Sequence, residues 1–188
     1  MQALTRDEIR HGLEKVNARL EEKGVRGELC LYGGACLCLA FAARNSTKDV
    51  DAVFEPAAIV RKAVFEVAVE LGWPWNWLND DVKGFLSIRD GEGLEALDSC
   101  EFSHLKVYAA KAEYVLAMKC FAARMGGNDE GEGDRATDFE DAFWLCRHLG
   151  LDSREGIAGI VLKYFPDRAI PERTDFFVEE LLHRLSQP

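Results

Sequence analysis

The sequence predicts an α+β protein, with a small mixed β-sheet flanked by helices and followed by a C-terminal helical bundle. Three observations carry this expectation. Strand-like apolar or alternating runs occur at residues 28–32, 48–54 and 105–109, with helical periodicity between them. From Ala110 onward the apolar residues recur at helical spacing without a further strand pattern. A chain of 188 residues with 48% hydrophobic content suits one core with a helical appendage rather than two independent domains. The expected division is a core over residues 1–109 and a helical region over residues 110–188, packed on the core as a single compact unit.

The elements follow in order. Thr5-Arg6-Asp7-Glu8 is a capping box, and Ile9, Leu13, Val16 and Leu20 continue at helical spacing until Gly24. Residues 28–32 form a buried strand, Gly33-Gly34 turns the chain, and a helix follows from Ala35 to Ala43. Residues 48–54 alternate acidic and apolar side chains at strand period, with Val50 and Val53 expected to anchor the face opposite the acids. Pro56 opens a helix whose stripe is Ile59, Val60, Ala63, Val64, Val67 and Leu71. The segment from Trp73 to Arg89 has no clear period, and its indoles Trp73, Trp75 and Trp77 read as packing, as a lid, or as a surface on which a base stacks. Asp90–Glu95 reads as a turn before the last strand. The helical region holds a helix running to Gly126-Gly127, an acidic loop, a capping box at Thr137–Glu140, a helix opened by Asp152-Ser153-Arg154-Glu155, and a final helix from Thr174 to Leu185.

Charge narrows the function classes. With 23 Lys and Arg against 33 Asp and Glu, the net charge of -10 opposes extensive binding along a phosphate backbone. Only a local patch is left for nucleic acid, from Lys83, Lys106, Lys111 and Arg124. The longest uncharged apolar run, Leu29–Ala43, falls short of the roughly 20 residues that span a bilayer, so no membrane partner is expected. The opening TRDEIRHGLEK has no signal-peptide pattern, and a cytoplasmic location is the expectation. The 6 cysteines contain no C-x-x-C pair and read as small, buried, reduced side chains, and the 4 histidines lack ligand spacing.

The chemistry concentrates in YGGACLCLAFAARNSTKDVDAVF. A strand ending in Gly-Gly lets bare backbone N–H groups approach a phosphate, although most such turns are plain turn chemistry. Asp49 and Asp51, two apart on a strand, share a face and can together hold hard divalent cations; the competing reading is a solvated strand face. The combination of the two features supplies both parts of a phosphoryl-transfer site. Lys119 interrupts a stripe of small apolar residues, either as a snorkelling lysine or as a cation for phosphates, and methionine is expected to be tolerated there. Asp138 follows the Thr137 cap, where an acid favours the helix dipole, and Asp141 shares its face. Asp80 and Lys83, with Asn79, lie beside the tryptophans and are weaker candidates for the mouth of the site.

These residues resemble the nucleotidyltransferases of the DNA polymerase β superfamily, in which a Gly-Gly or Gly-Ser turn precedes Asp-x-Asp on the next strand. YGGACLCLAFAARNSTKDVDAVFEP, WLNDDVKGFL, AEYVLAMKCFAAR and TDFEDAFWL together look like a bacterial group of minimal nucleotidyltransferase-like proteins related to toxins of AbiEii type. The resemblance implies a nucleotidyltransferase-like core and an enzyme that moves a nucleoside monophosphate from an NTP to an acceptor, with Mg²⁺ or Mn²⁺ as cofactor. It implies nucleotide contacts at Gly33, Gly34, Ser46, Thr47 and Lys119, metal ligation by Asp49 and Asp51, and catalytic roles for Asp49, Asp51, Lys119 and Asp138. It further suggests an RNA acceptor such as a tRNA end, and an antitoxin protein as partner in a toxin-antitoxin system. For the third strand carboxylate of the full polymerase site, Asp98 and Glu101 are the nearest candidates. A nucleotide-binding or partner-binding module without catalysis satisfies the same residues.

Overall fold

A computed structural model describes residues 3–122 and 132–187. The protein is mixed α+β, with a five-stranded mixed sheet flanked by helices and further helices towards the C-terminus. The chain divides into two compact units: residues up to Gly84 with Leu94–Ala110, and Phe85–Gly93 with the chain from Lys111 onward.

In the first unit, a two-residue strand β1 (Leu4–Thr5) leads into α1 (Arg6–Glu22). The helix starts where the sequence puts its cap: the Glu8 N–H donates to Thr5 Oγ1 at 3.3 Å and the Thr5 N–H donates to the Glu8 carboxylate at 2.8 Å. These hydrogen bonds, the backbone one foremost, hold the Glu8 carboxyl below its ordinary pKa. Then come β2 (Gly27–Leu31), α2 (Gly33–Leu39), β3 (Ser46–Thr47), β4 (Val50–Glu55), α3 (Ala57–Leu71), β5 (Leu78–Asn79), β6 (Leu94–Glu101) and β7 (Leu105–Ala110). The sheet order is β5-β4-β2-β7-β6, and β1 pairs separately with β3. β2 runs antiparallel to β4 and parallel to β7; β5 is parallel to β4, and β6 is antiparallel to β7.

One face of this sheet is apolar and covered. Leu29, Leu31, Val50, Ala52, Phe54, Leu105, Val107 and Ala109 are buried there. Helices α1 and α3 form the cover, since a Cβ on Gly27 would stand 3.0 Å from Leu20 and 3.3 Å from Val60. The other face carries Asp51, Val53, Cys30 and Tyr108, all only half-buried. Val53 therefore shares the face of Asp51 and does not anchor the strand from behind. Val50, Ala52 and Phe54 do that, as a strict period of two requires.

Strands β5 and β6 were not expected. β5 is only two residues long, and β6 is an edge strand, largely exposed, whose pairing with β7 shifts register between Ala96 and Glu101, so neither prints an alternating pattern. The tryptophans separate by role: Trp77 is fully buried, Trp73 meets it edge-on at 5.1 Å, and Trp75 is exposed. Both packed rings lie against α1, where a Cβ on Gly12 would come within 2.7 Å of Trp77 and 2.8 Å of Trp73. Trp77 and Trp73 thus serve packing rather than a lid. Gly12→Ala is expected to destabilise by about 1–3 kcal/mol through overpacking, measurable by urea titration, despite alanine's better helix propensity.

The second unit contains α4 (Ala112–Phe121), α5 (Glu132–Leu149), α6 (Arg154–Tyr164) and α7 (Glu172–Leu185). Its core stacks Tyr114 on Tyr164 at 4.6 Å and Phe121 on Phe165 at 4.7 Å. The Ser87 N–H donates to the Tyr114 hydroxyl oxygen at 2.8 Å, which ties the segment 85–93 to α4. Thr174 Oγ1 donates to the Cys120 carbonyl at 2.9 Å and joins α7 to the end of α4. Helix α5 begins at Glu132, so Thr137 lies within it and is not its cap. Gly126 and Gly127, most of the acidic loop and Arg124 lie outside the described residues. Ser153 caps α6 as expected, accepting from the Gly156 N–H at 3.3 Å.

Five cysteines are buried and Cys30 is half-buried, with no disulfide among them. Burial pushes the Cys36 thiol up to about 12 and the Cys146 thiol up to about 11, which makes both poor nucleophiles. Among the described residues no helix is long and apolar enough to cross a membrane.

Candidate functional site

The glycine turn and the acid pair meet at the C-terminal end of β2. The Tyr32 N–H donates to the Asp51 carbonyl at 2.9 Å, which holds the end of β2 against β4. The next residue, Gly33, has φ +54, and a Cβ there would stand 3.0 Å from Asp51 Oδ2. At Gly34 the reason for glycine is space: a Cβ would collide with Thr47 Oγ1 and come within 2.9 Å of the Arg44 guanidinium. The room left by two missing side chains is filled by a carboxylate, a hydroxyl and a guanidinium. That is more than turn chemistry needs. Gly34→Ala is expected to cost about 1–3 kcal/mol by displacing Thr47, read as a lower urea midpoint with unchanged slope.

Helix α2 spans Gly33–Leu39, shorter than the expected run to Ala43. Ala42 turns into the left-handed region at φ 52, and the Ala43 and Arg44 N–H groups both donate to the Leu37 carbonyl, at 2.8 and 3.3 Å. The chain thus doubles back along the helix, which brings Arg44 to its beginning. β3 then pairs with β1, with Thr47 opposite Leu4 and Ser46 opposite Thr5. Thr47 is buried, with its hydroxyl at Gly34, whereas Ser46 is half-buried.

Asp49 lies just before β4, and Asp51 is its second residue. Asn79 on β5 pairs in register with Asp51, and its Nδ2 donates to Asp49 Oδ2 at 3.4 Å. Asp49, Asp51 and Asn79 are thereby gathered on one face, beside the glycines and Thr47. The strand position paired with Asp51 on β5 holds an amide, that of Asn79. Asp98 and Glu101 belong to β6 at the sheet's far edge, and they line a cavity of about 410 Å³ with Arg26, Gly27 and Glu28, at the opposite end of β2 from Gly33.

The donor set restricts what metal fits. Among the described residues no three of His, Cys, Asp and Glu gather into a cluster that holds an ion, so an all-protein cage is not built here. A carboxylate pair suits Mg²⁺, which keeps several waters and takes one or two carboxylates plus substrate phosphates. Asp51 Oδ2 stands 3.0 Å from where a Gly33 Cβ would be, so one carboxylate of the pair lies against the glycine turn, as that fit requires.

The weaker candidates fall elsewhere. Asp80 meets Lys83 Nζ at 2.7 Å and Arg61 of α3 at 2.7 Å, and the Lys83 hydrogen bond foremost holds its carboxyl below the usual range. Both cations lie over the ring of Phe54, on the helix-covered face and away from Asp51. Lys106 sits at the far end of the sheet, over Tyr108, and Lys111 Nζ donates to the Glu92 carbonyl at 2.9 Å. Lys106 and Lys83 are thus on opposite faces of the sheet and do not share a patch.

In the helical unit, Lys119, Asp138 and Asp141 form one ion cluster. Lys119 Nζ lies 2.5 Å from Asp138 and 2.8 Å from Asp141, and the Lys119 and Asp141 side chains are only 12% and 4% exposed. Burial alone would lower the lysine's pKa, but the two carboxylates outweigh it and hold it above its ordinary value. Lys119 is therefore neither snorkelling nor a lone cation. Asp138, lying inside α5, is accounted for by this ion pair rather than by a cap.

Sequence reasoning missed Arg44. The available signal was its place between the glycines and the acids, as the last arginine before Asp49. No family profile, curated protein or solved structure matches the chain.

Proposed function

We propose that the protein is a metal-dependent nucleotidyltransferase that moves a nucleoside monophosphate from an NTP to an acceptor. The observation that carries this reading is the convergence of Gly33, Gly34, Thr47, Asp49 and Asp51 on one end of the sheet, with the Asp51 carboxylate filling the space beside Gly33. Bare backbone at the glycines lets a triphosphate approach closely. Asp49 and Asp51 would hold Mg²⁺, and the Asn79 amide keeps the Asp49 carboxylate oriented by donating to it. The ion, when bound, supplies charge neutralisation for the phosphates. Thr47, with its hydroxyl fixed against Gly34, adds a polar group at the phosphate end.

RNA is the proposed acceptor and an antitoxin the proposed partner, both on the strength of the sequence resemblance. The test is incubation with labelled NTPs, Mg²⁺ and total RNA, and separately with a mixture of proteins. Label entering RNA in the wild type but not in Asp51→Asn is the expected result; label entering protein instead would replace RNA as the acceptor. A second reading, nucleotide binding without transfer, is favoured by one observation, the amide of Asn79 beside Asp51. NTP binding without label in either acceptor would decide for it.

A further inference from the structure

We propose that the shared C-terminal end of α5 and α7 is a docking surface for single-stranded RNA, gripped by Arg147 and Arg184. RNA as the polyanion rests on the acceptor proposed above, whereas the surface itself does not depend on transfer. The sequence offered Lys83 and Lys106 for a basic patch, and the fold sets them on opposite faces of the sheet. Helices α5 and α7 bring together a different set. Phe139 meets Phe177 edge-on at 5.8 Å, and further along both helices Arg184 lies 5.3 Å and Arg147 6.0 Å from the centre of the Phe143 ring. The two helices thus run in the same direction here and end together. No acid follows Asp141 on α5 or Glu180 on α7, so the charged side chains at this end are Arg147 and Arg184, with His148 and His183 beside them.

Both arginines are exposed, and among the described residues neither has a carboxylate partner. Arg154, by contrast, meets Asp175 at 2.7 Å and Glu179 at 3.0 Å. The C-terminal dipole of each helix accounts for one cation in each last turn. It does not account for two guanidiniums gathered on one ring. The ring attracts each of them, yet their mutual repulsion is left for a polyanion to relieve. A guanidinium resting on a ring also keeps its N–H edge for phosphate oxygens and its outer plane for a base. The stacked rings of Trp144 and His148, 4.7 Å apart, continue the aromatic surface along α5. Two arginines make a short footprint, which suits a single strand with open bases; the long phosphate tracks of a duplex are opposed by the net charge of -10.

The test is titration of a labelled short single-stranded RNA of mixed sequence with the full chain, without NTP or Mg²⁺ and over a range of salt, beside its duplex and the DNA strand of the same sequence. Arg147→Gln with Arg184→Gln is expected to weaken RNA binding about 10- to 100-fold at low salt. The log-log salt slope is expected to become shallower by about 1.4, two phosphates at roughly 0.7 each. Arg154→Gln with Lys163→Gln removes the same charge from exposed residues already paired with acids, and is expected to leave the affinity unchanged. Equal RNA affinity in the wild type and in Arg147→Gln with Arg184→Gln overturns the assignment. An equal loss in the Arg154→Gln with Lys163→Gln control overturns it too, since net charge alone would then be the cause. Tighter binding of the duplex or of the DNA strand overturns single-stranded RNA as the occupant. Arg147→Lys with Arg184→Lys is expected to keep the salt slope and lose part of the affinity; wild-type affinity there rejects the guanidinium contact, and this pair decides if the glutamine substitutions prevent folding. Nucleotide transfer is read separately: a wild type that binds RNA and transfers no label overturns the nucleotidyltransferase reading and leaves the surface standing.

Discussion

Lys119→Met is expected to destabilise the helical unit by about 3–5 kcal/mol, the usual cost of removing one partner from a buried ion pair. Asp141 is 4% exposed and would lose the ammonium that stands 2.8 Å from it; Asp138, at 29%, reaches water and contributes less. This reverses the sequence expectation that methionine suits the stripe, because the stripe is broken by two acids from α5 that the local pattern of α4 does not reveal. The pH dependence has a definite sign. The folded pKa of Lys119 is raised above 10.5, so its contribution is fully present below about 10.5 and is lost as pH rises through the higher folded value. Thermal melts at neutral pH and above pH 10.5 are expected to show the wild type converging on the variant. Adding Asp141→Leu to Lys119→Met is expected to recover part of the loss, since the buried acid that faced the ammonium is then removed as well. Equal melting temperatures for wild type and Lys119→Met at neutral pH would reject the cluster as a stabilising element.

Mg²⁺ with an NTP is expected to raise the melting temperature of the wild type, and Asp49→Asn with Asp51→Asn is expected to abolish the rise. At 100 times the dissociation constant, a ligand that binds only the native state stabilises by about 2.7 kcal/mol, or roughly 5–10 °C for a chain of this size. Without ligand the double variant is expected to melt at or slightly above the wild type: asparagine at 49 keeps a carbonyl for the Asn79 amide, and one source of like-charge repulsion is gone. A full ligand-induced rise in the double variant would sink the metal assignment.

The elements readable in the sequence were those with a strong period or cap. Helix α1 begins at its Thr5–Glu8 box, and β4 and β7 follow their apolar alternation, because local chemistry alone decides these. What was hidden depends on distant partners. β6 is an exposed edge strand held by β7, and β5 takes its place through the pairing of Leu78 and Asn79 with Val50 and Asp51. The same holds for the candidate site. Gly33, Gly34, Asp49 and Asp51 stand out as a spaced set, whereas Asn79 and Arg44 owe their positions to a strand pairing and to a loop reversal at Ala42, neither of which has a composition signature. Thr137 carries the residues of a cap without being one, because α5 already spans Glu132–Leu149.

The parallel pairing of β2 with β7 has a consequence for how the chain is made. β2 is the central strand, and its partner on one side arrives only with Leu105–Ala110, after the chain has contributed Phe85–Gly93 to the helical unit. A ribosome-bound chain that has emerged only as far as Gly84 therefore carries a β2 with one edge unpaired, next to the apolar face of Leu29 and Leu31, and such an edge invites pairing with another nascent chain. Closing the sheet requires contacts about 80 residues apart in sequence, which slows folding relative to the local helical pairs that follow. The sheet unit thus cannot close until Ala110 has been made, and a fragment ending at Gly84 is expected to be recovered as aggregate rather than as a small folded domain.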